Sequence, residues 1–238
     1  MHSASLKLRK VPESFSVEKA HAAQRALSKL VLTEDLLPDE IRYVAGVDVA
    51  YTKSQSIGGV VVFNHSSLAI EESKFAHTAT KFPYIPTLLS FRELHPLLAS
   101  IRKLERQPDV FLVDGHGLMH QNRLGLASHL GLILNAPTVG VAKGPLTGKV
   151  GEFVAGWAPI TDEDDMIGAA LLTGGSRNPI YVSVGHMVSI QRAMEIVKHY
   201  TTRHRIPKPL QIAHRLVTFE REKLQKAGTT FINSEWVP

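Results

Sequence analysis

The chain has 238 residues, of which 44% are hydrophobic and 21% charged, enough apolar material for a continuous core and too much for a disordered chain. It contains no cysteine, which excludes disulfides and thiolate metal sites and fits a reducing, cytoplasmic setting. A formal charge of +5 points to a polyanionic partner without establishing one.

The N-terminal stretch MHSASLKLRKVPESF is basic and has no apolar h-region, so no secretory signal is expected. Val17–Leu32 has helical spacing and is rich in Ala and Leu. Tyr43–Tyr51 alternates as a strand, and Ile57–Asn64 with Leu68–Ala76 reads as a hairpin around an Asn-His-Ser-Ser turn. Leu88–Arg106 is helical but interrupted at Pro96, which predicts two pieces or a kink. Val110–Asp114 is a short apolar strand, Asn122–Leu134 an amphipathic helix and Thr138–Ala142 another short strand. The apolar stretch Leu124–Ala142 contains Ser128, His129, Asn135 and Pro137, so it reads as helix plus strand and not as a membrane span. Lys149–Pro159, Met166–Thr173 and Ile180–Val184 add strands, and Ser189–Thr201 and Pro209–Lys226 close the chain as helices. The order predicts an α/β protein with a mixed sheet, three antiparallel strands continued by parallel ones and flanked by helices. No linker or repeat appears, and one domain over residues 1–238 is expected.

Charge is unevenly placed. Between His186 and Lys226 nine Lys or Arg face three Glu, which accounts for the whole positive excess. Two solvated helix faces would explain this, and so would a surface that tracks phosphates.

Three acids stand out. Asp114 ends an apolar strand before Gly115, His116 and Gly117, at the edge where open α/β sheets place ligands, although a turn or helix cap would also use it there. Asp48 lies inside the strand VAGVDVAY on the face of Gly46 and Ala50, where small neighbours leave room for a ligand; the alternative is an outward-facing position. Glu93 lies early in the helix after the hairpin, where a solvated glutamate would be ordinary. In a sheet of this order the three elements are neighbours. Oxygen donors without cysteine suit Mg²⁺, with Mn²⁺ as substitute, and acids on a basic chain suggest metal-assisted phosphoryl transfer.

The motifs VAGVDVAY, PYIPTLLSFRE, VDGHGLMHQNRLGLASHLG, TVGVAKGPL and YVSVGH run in order from about Val44 to His186, with a weaker echo in PKPLQIAHRLV. Together they closely resemble the endonuclease V family, deoxyinosine 3′-endonucleases of ribonuclease H-like fold. The resemblance implies that Asp48, Glu93 and Asp114 bind the catalytic metal and that His214 completes the site. Read from the residues alone, His214 borders the apolar face of the last helix and would pass as a packing residue. Lys143, ending TVGVAK, is either solvated or in contact with a phosphate or developing charge. In KFPYIP two prolines stiffen a loop that presents Tyr84 and Ile85 before Pro86. An inward-packed turn tyrosine is the plain alternative to the aromatic wedge that the resemblance implies. The same resemblance implies a flipped hypoxanthine read by backbone groups near Leu89, Gly115 and Gly117. His120 and Arg123 read equally as contacts to the site and as helix N-terminal decoration. Thr87 departs from the family pattern, where many members have glycine; its β-branched side chain resists φ > 0 and puts lesion range in question.

The resemblance therefore implies a DNA-repair endonuclease, leaving 3′-hydroxyl and 5′-phosphate ends, that acts as a monomer on DNA containing deoxyinosine and away from membranes. The rival readings are an inosine-specific ribonuclease acting on RNA or tRNA, and a reader of modified nucleic acid that does not cleave.

Overall fold

The computed structural model describes residues 15–233, with side chains to residue 226. The basic N-terminal stretch before Phe15 lies outside the described residues. Helix α1 (Val17–Ser28) opens at Ser16, whose side chain accepts the Lys19 N–H. The meander follows as β1 (Tyr43–Tyr51), β2 (Gln55–Asn64) and β3 (Ile70–Ala79). Then come α2 (Leu89–Ile101), β4 (Val110–Asp114), α3 (Leu126–Leu134) and β5 (Thr138–Ala142). The rest is β6 (Lys149–Val150), β7 (Trp157–Asp162), β8 (Asp165–Leu171), β9 (Ile180–His186), α4 (Ile190–His199) and α5 (Lys208–Asn233).

The nine strands form one sheet in the order β3-β2-β1-β4-β5-β9-β8-β7-β6. β1, β2 and β3 pair antiparallel, whereas β1–β4 and β4–β5 are parallel. The expected mixed architecture is therefore present. The later strands extend it as an antiparallel ladder beyond β5.

Glycines decide how closely the helices approach. A Cβ on Gly46 of β1 would lie 2.3 Å from the Pro209 backbone carbon, and one on Gly59 of β2 would lie 2.5 Å from Val217 Cγ1. α5 thus lies on one face of β1 and β2. On the other face a Cβ on Gly58 would lie 2.0 Å from the Pro96 carbonyl oxygen. α2 is seated there, burying Leu94 and Leu97 against Ala45, Val47, Val60, Val62 and Phe111. Each such leucine contributes on the order of 2 kcal/mol of apolar burial.

Three local expectations are corrected. α1 ends at Ser28 and not at Leu32. α2 is one helix and not two pieces: Pro96 lies inside it, buried, with its carbonyl against the bare backbone of Gly58. α3 begins at Leu126 and not at Asn122: Arg123 has φ +52°, which a right-handed helix does not tolerate. Among the described residues no helix is long and apolar enough to cross a membrane.

Candidate active site

Parallel register places two acids side by side. Gly46 pairs with Leu112 and Val47 with Val113, so Asp48, three residues before the end of β1, lies beside Asp114, the last residue of β4. Side chains alternate along a strand, so Asp48 shares the α5 face with Gly46. α5 starts on Gly46, and one turn later His214 reaches Asp48: its Nδ1 lies 2.8 Å from Asp48 Oδ2. The other oxygen, Oδ1, accepts the Val49 N–H at 2.7 Å. Asp114 pairs with Val141, so Lys143 stands two residues further along the same edge. Its positive charge lowers the pKa of both aspartates, against the larger effect of burial.

Glu93 comes from the opposite layer. α2 crosses back antiparallel to the strands, which brings its first turn to their carboxyl ends. Tyr51, the last residue of β1, donates its hydroxyl to Glu93 Oε1 at 3.0 Å, with the Arg92 guanidinium 4.1 Å above the tyrosine ring. Burial pushes the Glu93 carboxyl up to about 8, opposed by the Tyr51 hydrogen bond and reinforced by the charges of Asp48 and Asp114. Asp48 and Asp114 are both raised as well, chiefly by burial. Three acids thus repel one another in a half-buried setting. Asp114 has no side-chain hydrogen bond among the described residues, so its oxygens are open to a ligand. Hard oxygen donors under mutual repulsion fit a divalent cation in chemistry. In this conformation they are not drawn into a closed shell: among the described residues no three His, Asp or Glu are grouped as a metal centre.

Beside the acids lies a cavity of about 130 Å³, bounded by Tyr84, Thr87, Leu89, Gly115, His120 and Leu126 among others. Tyr84 is 66% exposed, so it stands at the surface and is not the inward-packed turn residue. Ile85 accepts the Leu88 N–H through its carbonyl, and Pro86 is exposed between them. α2 lacks a side-chain N-cap, which leaves the first-turn N–H groups at Leu89 and Ser90 without intrahelical partners where both residues line the cavity. His116 also lines it; burial pushes its imidazole down to about 4, so it is neutral near pH 7.

Several expected contacts fall elsewhere. The Gly115 N–H is already donated to the Val141 carbonyl at 3.1 Å. Gly117 does not line the cavity: its N–H goes to Ser183 Oγ at 2.8 Å, and a Cβ there would lie 1.9 Å from the Val184 carbonyl oxygen. Its glycine admits β9. His120 is buried with both ring nitrogens engaged, Nε2 with the Thr87 carbonyl and Nδ1 with the Asn122 N–H. Arg123 reaches the acidic loop, pairing with Asp162 at 3.0 Å. The basic C-terminal segment is partly internal business: Arg192 pairs with Glu195, Lys223 with Glu220, and Arg205 donates to the carbonyls of Lys143 and Pro179.

Sequence reasoning missed Tyr51 and Gln24. Tyr51 is three residues from Asp48, hence on the other face of the strand, and only the helix behind that face makes it a partner of Glu93. Gln24 left a visible signal, a lone amide at the i+4 position from Ala20 on the buried stripe of α1.

A mixed sheet of this order, with one acid inside its central strand and another at the end of the next, has the ribonuclease H-like build. The chain belongs to the endonuclease V family, whose model matches residues 25–215. The endonuclease V of Thermofilum pendens is 40% identical over 214 residues, covering 90% of this chain and 92% of the relative. The crystal structure of the Streptomyces avermitilis endonuclease V superposes with a TM-score of 0.81 at 34% identity, covering 92% of this chain and 98% of that one. That of Ciona intestinalis, in complex with a 24mer DNA containing an inosine followed by a ribo-adenosine, superposes with a TM-score of 0.76 at 27% identity. It covers 87% of this chain and 98% of the other.

Proposed function

We infer that this nuclease is a DNA-repair enzyme that recognises deoxyinosine and hydrolyses a phosphodiester bond on its 3′ side, leaving 3′-hydroxyl and 5′-phosphate ends. The observation that carries the reading is the pairing of a repelling acidic cluster with an apolar-lined cavity beside it. The cavity, about 130 Å³ and open to the surface beside the exposed Tyr84, has the scale of one displaced base and not of a base pair. The DNA bound to the Ciona relative supports an inosine substrate.

Asp48, Glu93 and Asp114 would hold Mg²⁺, or Mn²⁺ in its place. When bound, such an ion supplies Lewis-acid polarisation of the phosphate and a more acidic water. The rest falls to the chain. His214, hydrogen-bonded through Nδ1 to Asp48 and 61% exposed, keeps Nε2 free to orient water. Lys143, exposed beside both aspartates, offsets charge that develops on the phosphate. Tyr84 fills the gap beside the displaced base, and the Leu89 and Ser90 N–H groups offer donors to its carbonyl edge.

The test uses end-labelled DNA and RNA strands of one sequence, each with a single inosine, with Mg²⁺ or with EDTA. The wild-type chain nicks the DNA strand with Mg²⁺ and not with EDTA; Asp48→Ala binds the strand and leaves it intact. Nicking confined to RNA would move the substrate to inosine-containing RNA. Binding without metal-dependent product would make the protein a reader.

A further inference from the structure

Thr87 has φ +72°, a backbone region that a β-branched residue enters only when its surroundings impose it. It is the third residue of the turn Ile85–Leu88, closed by the Leu88 N–H on the Ile85 carbonyl at 3.0 Å. With proline second and positive φ third, this is the pattern of a type II turn, whose third position normally holds glycine or asparagine.

Three side chains converge on that residue. Gln24 Nε2 donates to the Thr87 carbonyl at 2.9 Å, His120 Nε2 meets the same oxygen at 3.0 Å, and His21 Nε2 meets the hydroxyl at 2.9 Å. Because His120 Nδ1 accepts the Asn122 N–H, Nε2 carries the proton and the carbonyl receives two donors. Gln24 is 0% exposed and saturated: its amide also donates to the Leu124 carbonyl at 3.3 Å, and its oxygen accepts Asn122 Nδ2 at 2.9 Å. One glutamine of α1 therefore joins two walls of the cavity, Thr87 before α2 and Leu124 before α3.

We propose that Gln24 is a positioning residue for base recognition, holding the Pro86–Thr87 turn in its left-handed conformation and so setting Tyr84 and Leu89 at the cavity before substrate arrives. The proposal rests on the reading of that cavity as the base pocket. It also explains how threonine occupies a position built for glycine: the donors offset the strain that glycine would not incur.

The experiment is a double-mutant cycle on single-inosine DNA with Mg²⁺. Gln24→Met keeps the volume and removes both polar functions. It raises KM tenfold or more while kcat stays within threefold. Thr87→Gly provides the second background, since glycine adopts φ +72° unaided, and its own KM is the reference for the double variant. The double variant returns KM to within threefold of Thr87→Gly, a rescue that a general packing role of Gln24 does not produce. An unchanged KM in Gln24→Met overturns the proposal, and so does a raised KM that Thr87→Gly fails to rescue. A Gln24→Met chain that folds only with Thr87→Gly supports it; one that folds in neither background overturns it. If the wild-type chain cuts no inosine strand, it is the reading of the pocket that fails.

Discussion

Gly58→Ala tests how the acidic cluster is assembled. The added methyl would sit 2.0 Å from the Pro96 carbonyl oxygen and 2.9 Å from the Leu97 nitrogen, both backbone atoms that no rotamer change can move. Ordinary contact begins near 3.4 Å, so α2 must retreat by roughly 1 Å or a little more. Overpacking of this kind costs about 1–3 kcal/mol, reduced by up to about 1 kcal/mol because alanine orders more cheaply than glycine in a strand. Glu93 lies one turn before Pro96 and moves with it, away from Tyr51 and from the aspartates across the strand. A displacement of about 1 Å in a catalytic group costs on the order of 100-fold in rate. Urea denaturation gives the stability change, and nicking of an inosine strand at a temperature where circular dichroism shows the variant folded gives the rate. Gly144→Ala, where an added Cβ meets nothing within 4 Å, is the stability control and should stay within about 0.5 kcal/mol. A Gly58→Ala chain with wild-type urea midpoint and nicking within threefold would refute the view that this backbone contact sets the place of Glu93.

Tyr51→Phe removes the donor to Glu93 Oε1 and leaves a half-buried acceptor without it, at about 1 kcal/mol; nicking should fall at least tenfold, and an unchanged rate would show that Glu93 needs no anchor. Tyr84→Ala, at a 66% exposed position, should change stability by less than about 0.5 kcal/mol yet slow cleavage of duplex more than of single-stranded inosine DNA. Equal slowing on both would remove the wedge. The His129 imidazole, which hydrogen-bonds Ser90, is pushed by burial from 6.5 down to about 4. The unfolded chain then binds a proton that the folded chain refuses between those values, so its contribution is whole above pH 6.5 and lost as pH falls toward 4. The loss is at most about 3 kcal/mol. Urea midpoints measured across that range should fall less steeply in His129→Gln; parallel slopes would count against the burial argument.

The limits of β1, β4 and β5 could be read from the chain to the residue, because each is a short apolar run closed by a polar or glycine stop. Asp48 and Asp114 were legible for the same reason: a carboxylate inside or at the end of such a run is a local anomaly. The starts and ends of helices were less so. Asn122–Gly125 looks helical by composition, yet Arg123 turns left-handed because Gln24 and His120 draw Asn122 out of the helix. Gly117 and His120 share a loop with Asp114, but one is committed to β9 and the other to Thr87, and neither partner is near in sequence.

Sequence by itself determined the elements, the mixed order of strands and the anomalous placing of Asp48 and Asp114, since periodicity and misplaced charge are properties of neighbouring residues. Only the tertiary structure decided who meets whom. Three bare glycines let α5 and α2 rest on opposite faces of the same two strands, so that His214 reaches Asp48 while Tyr51 holds Glu93. Such contacts depend on which atoms are missing at distant positions, and no local pattern records that.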